Sequence, residues 1–243
     1  MTKAVPIQKP RSYFLSKAFN GILDFFYPPY CQICHGPLDD ARQLVCHRCW
    51  MSFESYGEFH VRFPAHLREI DSVVVAILGD GGMDDPLSQI IHHFKYDRRA
   101  AHAAGLASRM AAQLISYPWT KRIDLIVPVP LHPSRRRSRG YNQSQLLAEQ
   151  LGNMFGIKVV SDVVVRVRDT QSQTKLNQEQ RRNNVAGAFQ VRDPVKLKGQ
   201  RVLLVDDVVT TGATINECVK ILRKGGAREV HAVAGVHFQH PLP

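Results

Sequence analysis

The run Val202-Leu203-Leu204-Val205-Asp206-Asp207-Val208-Val209-Thr210-Thr211-Gly212-Ala213-Thr214 decides how this chain is read. Its aliphatic opening, residues 202–205, predicts a short strand buried on both faces, as in the middle of a parallel sheet. Asp206 and Asp207 follow at the strand's C-terminal end, then a hydroxyl-rich turn with one glycine, then a helix from about Ile215. Ile215, Cys218, Val219 and Leu222 recur at helical spacing and make one apolar stripe. Lys220, Arg223 and Lys224 lie toward the helix end, and Gly225 is placed to cap it. Such a strand, turn and helix aim backbone N–H groups and a helix N-terminus at one point, which suits a phosphate. Thr210, Thr211 and Thr214 add hydroxyl donors, while Gly212, beside Ala213, lets the backbone approach closely. Two carboxylates repel an anion and must face something else. Vicinal sugar hydroxyls fit them, with a metal assisting. Phosphate at one end and a diol at the other describe a ribose 5-phosphate. The run has no Walker lysine and no G-x-G-x-x-G, so it indicates neither an ATPase loop nor a dinucleotide fold.

These positions resemble the phosphoribosyl-pyrophosphate (PRPP) motif of type I phosphoribosyltransferases. The resemblance implies that Asp206 and Asp207 hold the ribose hydroxyls. It implies likewise that Thr210, Thr211, Gly212, Ala213 and Thr214 hold the 5′-phosphate.

Composition bounds the rest. The chain has 243 residues, 44% of them hydrophobic, enough for one domain with a real core plus a small appendage. Its formal net charge of +11, from 32 basic and 21 acidic residues, favours polyanionic partners such as a pyrophosphate sugar or nucleic acid. Lys17, Asn20 and Asp24 interrupt the N-terminal apolar residues, so no secretory signal is read there. No apolar run reaches the length of a membrane span, and the expectation is a cytoplasmic chain.

Residues 1–30 are expected to hold a polar tail and an amphipathic helix over 12–26, stopped by Pro28 and Pro29. A small zinc module over 31–70 follows. Cys31-x-x-Cys34 and Cys46-x-x-Cys49 are two knuckles whose four thiolates can surround one structural Zn²⁺, leaving no open position for substrate. His35 and His47 beside them are at best reserve ligands, and Cys218 falls on an apolar stripe as a core residue.

The remaining domain, 71–243, reads as α/β, a mainly parallel sheet flanked by helices. Residues 72–78 predict a strand and 123–129 a second, ending in Pro128-Val129-Pro130. Arg135, Arg136, Arg137 and Arg139 come next, so a strand's C-terminal edge delivers a basic loop to the expected ligand face. Helices are expected over 101–116 and 144–155, and a third strand over 159–167. Residues 168–184 are polar and without hydrophobic period. Gln171, Gln173, Thr174, Arg181 and Arg182 suit that segment to a mobile lid over an anion.

From about residue 20 onward the chain resembles the ComF-type competence protein family, which pairs a Cys₄ zinc module with a type I phosphoribosyltransferase domain. The resemblance rests on Phe26-Tyr27-Pro28-Pro29-Tyr30-Cys31, the knuckles, Phe94-Lys95-Tyr96, Pro128-Val129-Pro130 and Arg139-Gly140-Tyr141-Asn142-Gln143. It continues through Arg168, Gln173-Thr174, Arg182, Asn184-Val185 and Gly187-Ala188-Phe189, and ends in the PRPP motif. It implies PRPP bound with Mg²⁺, a pyrophosphate loop at Val129, Pro130, Arg135 and Arg139, and a flexible loop carrying Arg168, Gln173 and Arg182. It also implies a role in natural competence, handling incoming single-stranded DNA beside a helicase-like partner. Arg135, Arg136, Arg137 and Tyr141 are the candidate DNA contacts. The competing reading is a metabolic transferase moving ribose 5-phosphate from PRPP to a nucleobase-like acceptor. No aromatic clamp or amide pair in the sequence names that acceptor, and neither catalysis nor oligomeric state is legible.

Overall fold

In a computed structural model, residues 29–38, 43–58, 69–82, 84–96, 100–170 and 178–238 are described. The helix expected over 12–26, and Gln171, Gln173 and Thr174, lie outside the described residues. The chain divides into two compact units, Met1–Cys46 and His47–Pro243.

In the first unit, residues 29–38 form a tight knuckle. The Cys31 N–H donates to the Gly36 carbonyl (2.8 Å), the His35 N–H to the Cys31 carbonyl (2.9 Å) and the Gln32 N–H to the Leu44 carbonyl (2.9 Å). His35 takes a left-handed φ of 55° to close the turn.

The second unit is built on strands β1 (Ser55–Glu58), β2 (Ser72–Gly79), β3 (Leu125–Pro128), β4 (Lys158–Val159), β5 (Val164–Arg166), β6 (Phe189–Val191), β7 (Arg201–Val209) and β8 (Glu229–Phe238). Its helices are α1 (His47–Ser52), α2 (Pro86–Tyr96), α3 (His102–Leu114), α4 (Pro133–Arg139), α5 (Gln143–Phe155), α6 (Gln178–Val185) and α7 (Ala213–Lys224). Among the described residues a six-stranded sheet runs in the order β1-β2-β8-β7-β3-β4, parallel except for β1, and β5 and β6 pair apart from it. Alternate strand residues face opposite sides. Val127, Val202, Leu204 and Ala232 share one apolar cluster with Ile215, Cys218, Val219 and Leu222 of α7. Helices α3 and α5 pack against the same sheet, and Ile126 and Leu203, absent from that cluster, are fully buried. Each fully buried aliphatic side chain stabilises the layer by roughly 1.5–3 kcal/mol.

The central strand is longer than its aliphatic run. It continues through both aspartates to Val209 because β8 pairs alongside it as far as Val209↔His237. The third expected strand, 159–167, divides into β4 on the main sheet and β5 on the separate two-stranded sheet. Within the stretch 31–70, expected as the zinc module, residues 47–58 supply α1 and β1. Helix α1 lies tight on α3: a Cβ at Gly105 would come within 2.2 Å of Trp50 Nε1, so only glycine allows this approach. Arg109, buried in α3, donates to the Phe53 carbonyl (2.9 Å) and Ser55 Oγ (2.7 Å), which fixes the entry to β1. Helix α2 begins with Asp85 Oδ1 accepting from the Leu87 N–H (2.9 Å) ahead of Pro86.

Candidate functional site

Strand β7 ends at the sheet's C-terminal edge and hands its two aspartates to that edge, 7% and 9% exposed. The Ser144 hydroxyl, from the first turn of α5, donates to Asp206 Oδ1 (2.9 Å), and the Asp207 N–H donates to the same oxygen (3.0 Å). Asp207 Oδ2 forms an ion pair with Lys95 Nζ (3.2 Å) from the end of α2. Burial pushes the Asp206 carboxyl well above its ordinary range, and the adjacent Asp207 charge pushes it further. For Asp207 burial acts upward too, but the Lys95 ammonium, its hydrogen-bonded neighbour Asp206 and the Arg139 charge hold it below the ordinary range. The two shifts run in opposite directions because burial and mutual repulsion disfavour a second charge here, while the nearest ammonium faces Asp207.

Beyond β7, Gly212 takes φ 72°, a left-handed turn that favours glycine, and caps α7 without a side-chain hydrogen bond. The Asn216 N–H closes the first turn on the Gly212 carbonyl (2.8 Å). Thr211 Oγ1 is buried with no hydrogen-bond partner among the described residues. A buried unpaired hydroxyl at a helix N-terminus suits an incoming anion oxygen. Asp206, Asp207 and the turn 210–214 are thus brought together as their spacing predicts.

Residues 139–143 form a clamp beside them. The Arg139 guanidinium lies over the Tyr96 ring (5.1 Å) and donates to Gln143 Oε1 (3.2 Å). Gly140 caps α4 with φ 85°. The Tyr141 hydroxyl (2.7 Å) and Gln143 Nε2 (3.1 Å) both donate to the Phe94 carbonyl. Burial raises the Tyr141 phenol to about 12. Asn142 caps α5 by accepting from the Ser144 N–H (3.2 Å) and donates to the Val129 carbonyl (3.0 Å). The Val129 N–H donates to the Val205 carbonyl (2.9 Å), so the Val129-Pro130 backbone is fixed against the central strand.

The arginines after Pro130 lie on a helix, not a loop. Pro133 starts α4, and His132 caps it by accepting from the Ser134 N–H. Arg135 donates to the Thr170 carbonyl and pairs with Asp169 (3.7 Å), while Arg136 and Arg137 are exposed. Arg168 donates to the carbonyls of Asn184 (3.0 Å) and Ala186 (2.7 Å), at the C-terminal end of α6. Arg182 sits within α6, and Gln173 lies outside the described residues. Lys95 and Ser144 are site residues that sequence reasoning misses. The helix-end triplet Phe94-Lys95-Tyr96 is visible in the sequence, but nothing local signals which carboxylate its lysine meets.

The four knuckle cysteines form a second centre. Their sulfurs lie within 4.8 Å of one another, and those of Cys34 and Cys46 are 3.9 Å apart. Tetrahedral zinc with bonds of about 2.3 Å places sulfurs about 3.8 Å apart, so the set fits that ion. The Ile33 (3.5 Å) and Cys46 (3.4 Å) N–H groups donate to Cys31 Sγ. Burial acts to raise the Cys31 thiol, but N–H donors from Cys34, Cys46 and Ile33 outweigh it and lower the thiol below its ordinary value. A sulfur so favoured as thiolate is a ready metal ligand.

A twisted parallel sheet between helices, with an acidic pair and a phosphate-ready turn at its C-terminal edge, defines a protein of the phosphoribosyltransferase class. The phosphoribosyl transferase domain family matches residues 103–239, more than half of the chain. Competence protein F of Haemophilus influenzae is 32% identical over 221 residues, covering 84% of this chain and 95% of that protein. The DNA utilization protein YhgH of Salmonella typhi is 37% identical over 148 residues, 60% of this chain and 64% of that one. Among solved structures, a purine phosphoribosyltransferase from Pyrococcus horikoshii is 21% identical with a TM-score of 0.32, covering 53% of this chain and 68% of that one. The family assignment rests on the sequence matches. The chain belongs to the ComF-type family, a Cys₄ cluster joined to a phosphoribosyltransferase domain. Among the described residues no helix is long and apolar enough to cross a membrane.

Proposed function

We propose that the chain binds PRPP with Mg²⁺ at Asp206, Asp207 and the turn 210–214, and that it serves natural competence by handling incoming single-stranded DNA in the cytoplasm. The observation that carries the ligand assignment is the buried aspartate pair beside the glycine-turned helix N-terminus with its unpartnered Thr211 hydroxyl. In this reading the ribose hydroxyls donate to the carboxylates, and the 5′-phosphate takes the N–H groups of α7 and the threonine hydroxyls. Bound Mg²⁺ would supply positive charge to the pyrophosphate oxygens. The DNA assignment is supported by the names of the relatives and by the +11 net charge. Residues 31–70 are assigned to a module held by one structural zinc, and 71–243 to the PRPP-binding domain. A helicase-like protein is the proposed partner.

The expected outcome is that PRPP with Mg²⁺ at about one hundred times its Kd stabilises the chain by about 2.7 kcal/mol, a melting-temperature rise of several degrees. Asp207→Ala removes the rise. A wild-type chain indifferent to PRPP sinks the assignment.

A second reading, transfer of the phosphoribosyl group to a nucleobase-like acceptor, is favoured by the intact carboxylate pair with Lys95 Nζ 3.2 Å from Asp207 Oδ2. Departure of pyrophosphate leaves an oxocarbenium-like ribose, which an ionised Asp207 beside the diol stabilises electrostatically. Pyrophosphate release from PRPP, assayed against a panel of bases and against single-stranded DNA, separates transferase from binder.

A further inference from the structure

We propose that Lys95, at the end of α2 and ahead of the residues that the phosphoribosyl transferase family matches, is a pyrophosphate-contacting residue of this site. The inference rests on the PRPP reading above and deepens it. Lys95 lies near the end of α2, before the domain match begins at residue 103. Its ammonium is 3.2 Å from Asp207 Oδ2, and the two side chains are only 17% and 13% exposed. This pair lies within the site, unlike a surface salt bridge.

The lysine's backbone is held firmly. Phe94 is fully buried, and its carbonyl receives hydrogen bonds from both the Tyr141 hydroxyl and Gln143 Nε2. A helix end doubly tied to residues 139–143 leaves the Lys95 side chain as the part free to change partner. Arg139, stacked on Tyr96, adds its field at Asp207.

Sugar chemistry then fixes what the lysine meets. The carboxylates are assigned to the hydroxyls on C2 and C3, and C1, which carries the pyrophosphate, is bonded to C2. A cation within hydrogen-bond distance of Asp207 is therefore within reach of the pyrophosphate on the neighbouring carbon. When a hydroxyl takes Asp207 Oδ2, the ammonium loses its partner. A largely buried ammonium left unpaired is costly, and its three donors turn to the nearest anionic oxygens. Lys95 thus exchanges the carboxylate for the pyrophosphate as PRPP enters. Without ligand it neutralises Asp207.

Calorimetric binding of PRPP and of ribose 5-phosphate, both with Mg²⁺, to wild type, Lys95→Met and Lys95→Arg tests this. Removing one charge-assisted hydrogen bond predicts PRPP binding about 10- to 100-fold weaker in Lys95→Met. Ribose 5-phosphate, which lacks the pyrophosphate, should bind that variant within about twofold of wild type, and Lys95→Arg should recover most PRPP affinity. Equal weakening for both ligands would place Lys95 with the carboxylates alone and overturn the inference, as would unchanged PRPP binding. Wild type binding neither ligand is a separate result, since it overturns the PRPP reading on which this one rests.

Discussion

Asp206 and Asp207 are adjacent in sequence yet their carboxyls are shifted in opposite directions, and the difference comes from their neighbours. Asp206 meets a hydroxyl and an N–H, while Asp207 meets an ammonium and the field of a guanidinium. Asp206 is raised well above its ordinary 3.8 because burial disfavours its charge. Its stabilising contribution is fully present below pH 3.8 and is lost as pH rises through the higher folded value, since the folded state binds the extra proton. Asn resembles the protonated form and can still accept from Ser144. Asp206→Asn is therefore expected to melt higher than wild type, by a margin that widens as pH is raised, while its response to PRPP is lost. Melting curves of both proteins at acid and mildly alkaline pH check this. A margin that is flat with pH would mean Asp206 is charged in the folded chain. The two acids are legible in the sequence as a pair. Their division of labour is not, because Lys95 is more than one hundred residues away in sequence and meets Asp207 only through the fold.

At the scale of elements, the strand-turn-helix over β7 and α7 is legible nearly whole, since Ile215, Cys218, Val219 and Leu222 are all buried as their spacing requires. The aliphatic pattern alone ends β7 too early, at Val205, because aspartates seldom lie inside a strand. Here they do, since β8 pairs past them and the small Gly235 admits the close approach of the Asp207 carbonyl. The basic stretch that passes for a loop folds as α4, and its signals are present, with Pro133 at the first turn, arginines in the last and Gly140 after it. The short strand β1, Ser55-Tyr56-Gly57-Glu58, carries no alternation that could announce it. Making 135–139 helical sorts its arginines. Arg135 is engaged by Asp169 and Thr170, leaving Arg136 and Arg137 as the exposed pair. If α4 contacts single-stranded DNA, changing Arg136 and Arg137 to Ala weakens binding and flattens its dependence on salt by about 0.7 for each phosphate no longer neutralised. Affinities measured across a salt series decide it, and an unchanged slope removes α4 from the DNA surface.

Across the whole molecule the sequence separates two sets of candidate ligands, four clustered sulfurs near the start and a buried aspartate pair near the end. Four cysteines around one zinc would leave no coordination position for substrate, so the contribution expected of such a metal is stability. Purified protein is expected to contain about one zinc per chain, and strong chelation to lower its melting temperature. Full metal loss without any thermal consequence would contradict a structural role. Knuckle spacing makes that centre readable because its ligands are local pairs. The surroundings of the aspartate pair are half readable, because α2, α4 and α5 reach them only by long-range packing.

The antiparallel strand β1 gives the sheet a further property. It covers the open side of β2, and the opposite border, β4, offers only two residues of ladder. A growing β-aggregate needs a long, flat template of unpaired backbone, and among the described residues this sheet presents little of one at either margin. Short margins of this kind disfavour strand-by-strand addition at the level of the backbone.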